Sequence, residues 1–203
     1  MPDGRIEDCT GVLLAGGRAE RLGGIPKGLL RHAGKPIAAH VLALFARLFP
    51  ASLIVSNDAA PYQPLGVSVV PDRLTGRGPP GGIHSALLAA GTSWIFAAAC
   101  DMPFLAEEPI RFLASRRAGA AAVLVRSGGR LEPLHAFWSQ ACLPALTRLL
   151  AAGKTSLVDL AGAVPSVVVE EPAWRTVDPL GRVLENANTP QDLARLGLDD
   201  HQL

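Results

Sequence analysis

No apolar run in this chain approaches the ~20 residues that cross a bilayer. The longest, Trp94 to Cys100, is strand-sized. The N-terminal stretch MPDGRIEDCT lacks a basic segment followed by an apolar one, so no secretory leader is expected there and a cytoplasmic protein is. Cysteine is scarce. Cys9, Cys100 and Cys142 are odd in number and widely scattered, with no C-x-x-C pair and no histidine cluster, which excludes a disulfide framework and a zinc site of the usual spacing. All three are expected as reduced thiols. Neither sign of charge is in excess: 19 Lys and Arg against 18 Asp and Glu leave a net +1, too little for the basic field of a nucleic-acid binder. His84 and His135 stand in no G-x-S-x-G context, so hydrolase chemistry of the triad type is not expected.

What the chain does have is a regular alternation. Short aliphatic runs recur at residues 10–15, 51–56, 67–71, 94–100, 120–125 and 164–169. Between several of them lie apolar residues at helical spacing, as in Ile37-Val41-Leu42-Phe45-Leu48, Ile83-Leu87-Leu88 and Ile110-Leu113-Ala114. Near-continuous apolar strands alternating with amphipathic helices predict a mostly parallel sheet covered on both faces. The expected fold is α/β: a three-layer sandwich with a doubly wound, Rossmann-like sheet. With 203 residues the chain is of one-domain size. A nucleotide-binding half is expected over about 8–125 and a less regular acceptor-binding half over about 126–200. In the second half a turn is expected at Ser127-Gly128-Gly129, a helix over 140–152, a return of the chain at 185–189, and a closing helix near Pro190. No exposed apolar stripe demands a partner, so a monomer is expected.

The most informative stretch is GVLLAGGRAERLGGIPKGLL, residues 11–30. A strand empties into Gly16-Gly17, the chain passes Arg18 and Arg21, meets Gly23-Gly24, and reaches Lys27. Such a loop lets successive N–H groups converge on anionic oxygens while Arg21 and Lys27 add full charges, which suits a polyphosphate. It is not a Walker loop, because Lys27 follows Pro26 and precedes Gly28. A dinucleotide fingerprint, G-x-G-x-x-G, is matched only by Gly76 to Gly81, where two prolines remove amides that would hold pyrophosphate.

In a doubly wound sheet, ligands collect beyond the carboxyl ends of the strands. Just past the apolar runs stand Gly16-Gly17, Asn57-Asp58, Asp72-Arg73 and Asp101. A carboxylate directly after a buried strand is costly unless paired or metal-bound, and magnesium, held by one or two carboxylates plus phosphates, answers that cost at Asp101. The alternative is a cap on a helix near Glu107. Asn57 and Asp72 suit recognition of a base, whose N–H groups a carboxylate accepts, or serve as ordinary turn residues. Asn186 and Asn188 alternate on one face of an extended segment and either ligate metal and grip phosphate, or leave Asn188 or Thr189 to cap the last helix.

The loop L-A-G-G-x-x-x-R-L-G-G-x-x-K, residues 14–27, resembles the signature of the MobA-like nucleotidyltransferases, the group that includes the molybdenum cofactor guanylyltransferases. C-D-M-P at 100–103 resembles the family's C-D-x-P, and N-A-N-T-P at 186–190 its N-x-N-T-P, with Gln191 where Glu is usual. Gly78-Pro79-Pro80-Gly81-Gly82-Ile83 resembles G-P-L-A-G-[LI], with Pro80 and Gly81 departing from it and a helix expected to start near Gly82. The resemblance spans Gly11 to about Leu196, in the family's order.

It implies transfer of GMP from GTP to molybdenum-bound molybdopterin, with release of pyrophosphate. It also implies Mg2+ as cofactor, held by Asp101 with Asn186 and Asn188. Arg21, Lys27 and Asp101 become the catalytic group, and Leu14, Ala15, Gly16, Gly17, Lys27, Asn57, Asp72 and Asp101 the nucleotide site. The segment Glu132-Pro133-Leu134-His135, with Lys154-Thr155, falls where the family handles the pterin. Partners implied are GTP and molybdopterin, with insertion proteins or apo-molybdoenzymes beyond them; no nucleic acid and no membrane are expected. A cytidylyl or sugar-phosphate transferase, and a non-catalytic nucleotide-binding adaptor, remain alternatives.

Overall fold

The structure is a computed structural model that describes residues 4–16, 18–19 and 25–199. Its main elements, in chain order, are β1 (Cys9–Leu14), α1 (Ile37–Leu48), β2 (Ala51–Val55), β3 (Ser68–Val70), α2 (Gly78–Ala89), β4 (Trp94–Ala99) and α3 (Glu107–Ala114). There follow β5 (Ala122–Ser127), β6 (Arg130–Ser139), α4 (Leu143–Ala151), α5 (Leu157–Ala163), β7 (Ser166–Val169), α6 (Glu171–Trp174) and α7 (Pro190–Leu196).

The seven strands form one sheet in the order β7-β5-β6-β4-β1-β2-β3. Every pairing is parallel except those of β6, which runs against both β4 and β5. The expected three-layer α/β sandwich is therefore what forms. Leu13 of β1 packs with Val41 and Phe45 of α1 and Leu113 of α3, while its neighbours Val12 and Leu14 pack with Ile83 of α2 and Leu146 of α4. Alternate residues of one strand thus feed two separate cores, which is why the strand reads as a continuous apolar run. Gly11 has a steric role in this packing. A Cβ there would meet Phe45 at 2.6 Å and Phe49 at 2.8 Å, so the glycine is what lets α1 lie against the sheet.

β5 and β6 join through Gly128 and Gly129, with φ of 54° and 76°, between paired Ser127 and Arg130. Positive φ at both central residues matches the twist of a two-residue hairpin, and the turn lies where the sequence placed it. Two elements differ from expectation. The second helix begins at Gly78 rather than near Gly82, because Pro79 and Pro80 fit a first turn whose N–H groups have no intrahelical partner. Residues 140–152 split into a 3-10 turn, Gln140–Cys142, and α4, with Pro144 in the first turn of the new helix. Residues 185–189 return to the carboxyl edge of the sheet, as expected, where Ala187 N donates to Asp101 C=O.

Candidate functional site

The carboxyl ends of β1, β2, β3 and β4 open on one edge of the sheet. β1 lies between β2 and β4, so the chain leaves it first to one side and later to the other. That is the switch point at which doubly wound folds bind ligands. A cleft of about 640 Å³ occupies it. Gly16, Asn57, Asp72 and Asp101, from the four strand ends, line it together with Lys27. The far wall is Glu132-Pro133-Leu134 of β6, which the antiparallel direction of that strand brings to the same edge.

At the centre, Lys27 Nζ lies 2.9 Å from Asp101 Oδ2 and donates also to Asn188 Oδ1. Asp101 is only 9% exposed, yet its Oδ1 has no hydrogen-bond partner among the described residues. A buried carboxylate oxygen of this kind carries a desolvation cost that the protein itself does not offset.

The carboxyl-terminal segment is brought here by backbone and by one buried acid. Asp101 C=O accepts from Ala187 N at 2.9 Å, which holds the segment carrying Asn186 and Asn188 against the end of β4. Upstream, buried Asp178 accepts from Trp174 Nε1 at 3.2 Å, Arg182 N at 2.9 Å and Val183 N at 3.3 Å, and so shapes the loop that leads to Asn186. Downstream, Thr189 caps α7. Its hydroxyl accepts from Asp192 N, and Asp192 Oδ2 accepts in return from Asn188 N and Thr189 N at 3.0 and 2.9 Å. Such a reciprocal box satisfies amides that a helix start leaves open.

On the other side of the cleft, Asn57 Oδ1 accepts from Asp72 N at 2.9 Å, tying the ends of β2 and β3 together. Ser85, fully buried on α2, accepts from Arg73 N and lies 3.2 Å from Asp72 Oδ1. Burial pushes the Asp72 carboxyl above its ordinary value, and the Ser85 hydrogen bond opposes the shift.

Residues 11–165 match the family described as "MobA-like NTP transferase domain". The chain belongs to that family. It is 34% identical to a probable molybdenum cofactor guanylyltransferase of Pelotomaculum thermopropionicum, over 92% of this chain and 91% of that one. To the molybdenum cofactor guanylyltransferase of Vibrio cholerae it is 29% identical, over 97% and 95% of the two chains. Among solved structures, molybdopterin-guanine dinucleotide biosynthesis protein A of Archaeoglobus fulgidus superposes with a TM-score of 0.79 at 26% identity, covering 92% of this chain and 96% of that one.

In this MobA-like chain, Lys27, Asp101 and Asn188 come into direct contact, and Leu14, Gly16, Asn57, Asp72 and Asn186 line the same cleft. Ala15, just beyond β1, lies instead in a smaller adjoining hollow with Tyr62. The Asn186 amide nitrogen is engaged by Leu184 C=O at 2.9 Å. Gly17 and Arg21 lie outside the described residues. The sequence treated Gly76 to Gly81 as an accidental match to a dinucleotide fingerprint. The segment joins the loop after β3 to the first turn of α2, and Gly76, Gly78 and Pro79 line the cleft. Ser85 and Asp178 were missed. The available signal was a polar residue inside an apolar helical stripe for the first, and an acid before a Pro-Leu-Gly turn for the second.

Proposed function

We propose that the protein transfers GMP from GTP to the phosphate of molybdenum-bound molybdopterin, releasing pyrophosphate and forming the guanine dinucleotide cofactor. The observation that carries this reading is the Lys27–Asp101–Asn188 cluster at the switch point of a MobA-like sheet. Relatives that align with nearly the whole chain are a probable molybdenum cofactor guanylyltransferase and a molybdenum cofactor guanylyltransferase.

The residues fit a hard divalent cation. Among the described residues no group of three or more His, Cys, Asp or Glu is arranged to hold a metal by itself. One carboxylate with an orphaned oxygen, flanked by the amides of Asn186 and Asn188, suits an ion of the magnesium type whose other ligands are phosphate oxygens and water. When bound, such an ion supplies Lewis acidity and neutralises phosphate charge.

The chain's own residues do the rest. An acceptor phosphate oxygen attacks the α-phosphorus of GTP in line; that P–O bond forms as the bond to the β-phosphate breaks, and pyrophosphate departs. No protein nucleophile takes part. Lys27 supplies a full charge that stabilises the phosphate oxygens as negative charge shifts towards the leaving group, and the amides near Gly16 add partial charges. Asn57 and Asp72, linked to each other, stand where the base of the nucleotide would lie, Asp72 accepting from guanine N–H groups. Residues 8–125 form the nucleotide half and 126–200 the acceptor half of a single domain. A monomer working in the cytoplasm is the proposed state; among the described residues no helix is long and apolar enough to cross a membrane.

Titration calorimetry of GTP and CTP with magnesium, on the wild type and Asp101→Ala, tests the reading. GTP preference in the wild type, magnesium-dependent affinity lost in the variant, and pyrophosphate release on adding the molybdopterin acceptor are expected. Unchanged turnover in Asp101→Ala would defeat the metal assignment, and equal affinity for CTP would defeat guanine selection. Tight GTP binding with no pyrophosphate release over many turnovers would favour an adaptor.

A further inference from the structure

A fully buried hydroxyl stands behind the end of the cleft that holds Asp72. Ser85 lies in α2 among buried Ile83, Ala86 and Leu87. Helix preference alone favours alanine there, because a mid-helix serine that bonds back to the carbonyl four residues earlier slightly weakens its own helix. Ser85 Oγ does lie 3.0 Å from Gly81 C=O, but its other two contacts leave the helix. It accepts from Arg73 N at 2.9 Å and meets Asp72 Oδ1 at 3.2 Å. Of its two acceptors, an ionised carboxylate draws the hydroxyl proton more strongly than a carbonyl does.

Gly81, one turn earlier, has a steric part in the same contact. A Cβ there would come 2.9 Å from Leu74 C=O, 3.1 Å from Arg77 Cβ and 3.4 Å from Asp72 Oδ1. The first of these is closer than a side-chain carbon approaches a backbone oxygen, so loop 72–77 could not lie where it does over an alanine. Gly81 and Ser85, four residues apart, share one face of α2. The glycine admits the loop and the hydroxyl fastens it. From the opposite side Asn57 Oδ1 accepts from Asp72 N. The amides of residues 72 and 73 and one carboxylate oxygen are thereby held, while Asp72 still lines the cleft.

Reading guanine calls for such a hold. Its ring N–H and 2-amino group lie side by side, and a carboxylate accepts from both only when it faces that edge, since hydrogen bonds weaken steeply as they bend. An aspartate free to turn about its side-chain bonds would be ordered only on binding, at a cost in affinity.

We propose that Ser85, with Gly81 beneath the loop, is a positioning residue for base selection: its hydroxyl orients the Asp72 carboxylate so that the site separates a purine bearing a 2-amino group from one lacking it. The inference rests on the guanine contact given to Asp72 under the proposed function. The same hydrogen bond opposes the rise that burial causes in the Asp72 carboxyl, and so favours the ionised form that accepts from both groups.

Titration calorimetry of GTP and inosine triphosphate (ITP) with magnesium tests it without turnover, because hypoxanthine keeps the ring N–H and lacks the 2-amino group. The wild type should bind GTP at least about tenfold more tightly than ITP. In Ser85→Ala the ratio should fall to within about threefold, with magnesium-dependent ITP binding retained as the sign of a folded cleft. Gly81→Ala, which keeps the hydroxyl and displaces the loop, should lower the ratio in the same way. Asp72→Ala should bring the ratio near unity, and adding Ser85→Ala to it should change the ratio by less than about twofold, since Ser85 acts through Asp72. A loss of stability alone would weaken both nucleotides alike and leave the ratio where it was.

An unchanged ratio in Ser85→Ala or in Gly81→Ala overturns the inference, as does a further fall in the double variant. A wild type that prefers GTP to CTP but not to ITP defeats this inference and leaves the proposed function standing. One that selects the 2-amino group through Ser85 yet transfers no GMP keeps the inference and defeats the proposed function.

Discussion

Lys27 is held by oxygens from two distant parts of the chain, Asp101 at the end of β4 and Asn188 before α7. An ammonium so placed holds two acceptors in position and remains available to an incoming phosphate. Replacing it by methionine keeps an unbranched side chain one atom shorter and removes the charge. Lys27→Met should lower kcat about 10²- to 10³-fold, the scale on which removing one preorganised electrostatic group from a transition state is felt. Steady-state pyrophosphate release measures it, and a loss below tenfold would remove Lys27 from the charge-stabilising role. The sequence made Lys27 and Asp101 legible because each breaks a local rule, a lysine after proline in a glycine loop and an acid at the end of a buried strand. Ser85 was not legible, because a serine inside a helix is ordinary until a neighbouring element delivers the carboxylate it meets.

At the scale of elements, the stretch 186–190 carried two readings, ligand and cap; the structure shows the cap, and beside it Asn188 Oδ1 accepting from Lys27 Nζ. Thr189 closes the capping box with Asp192, and the same carboxylate accepts from Asn188 N. The start of α7 is thereby coupled to the position of an amide that touches Lys27. Thr189→Ala should cost about 1 kcal/mol of stability, the usual cost of a lost N-cap. It should also lower kcat several-fold, because Asn188 loses part of its tether. Urea unfolding and turnover on the same preparation check the coupling; a stability loss with unaltered kcat would confine Thr189 to the cap. Local spacing predicted the cap, since capping is a matter of neighbours in sequence. It did not predict that Ala187 N would bond to Asp101 C=O, because that contact exists only after β4 and the carboxyl-terminal segment are packed side by side.

Across the whole molecule, both cores are built mainly of apolar side chains, and His135 lies within one of them. It is fully buried on β6 between Phe96 and Trp174, at ring-centroid distances of 5.1 and 5.3 Å, and neither ring nitrogen has a hydrogen-bond partner among the described residues. Burial pushes its pKa down from 6.5 to about 3. Between those values the unfolded chain binds a proton that the folded chain refuses. The stability associated with neutral His135 is therefore complete above about pH 6.5 and is lost as the pH falls towards 3, by about 1.4 kcal/mol per pH unit. His135→Phe should remove that component. Denaturant titrations at pH 7, 6 and 5 should show a shallower decline in the variant, and parallel declines would show that His135 does not titrate this way.

The sequence by itself determined what depends on neighbours along the chain. Alternating apolar runs set the strands and helices, the paired glycines 128 and 129 set a hairpin, and strand-end acids and amides marked one edge of the sheet. Tertiary structure decided what depends on the order of strands. By placing β1 between β2 and β4 it made the switch point, by reversing β6 it brought Glu132 opposite Asp72, and by packing residues 185–189 against β4 it joined Asn188 to Lys27. The physical reason is range. Propensity, capping and turn geometry act over a few residues, whereas a cleft built from five strand ends exists only once the sheet has closed around its core.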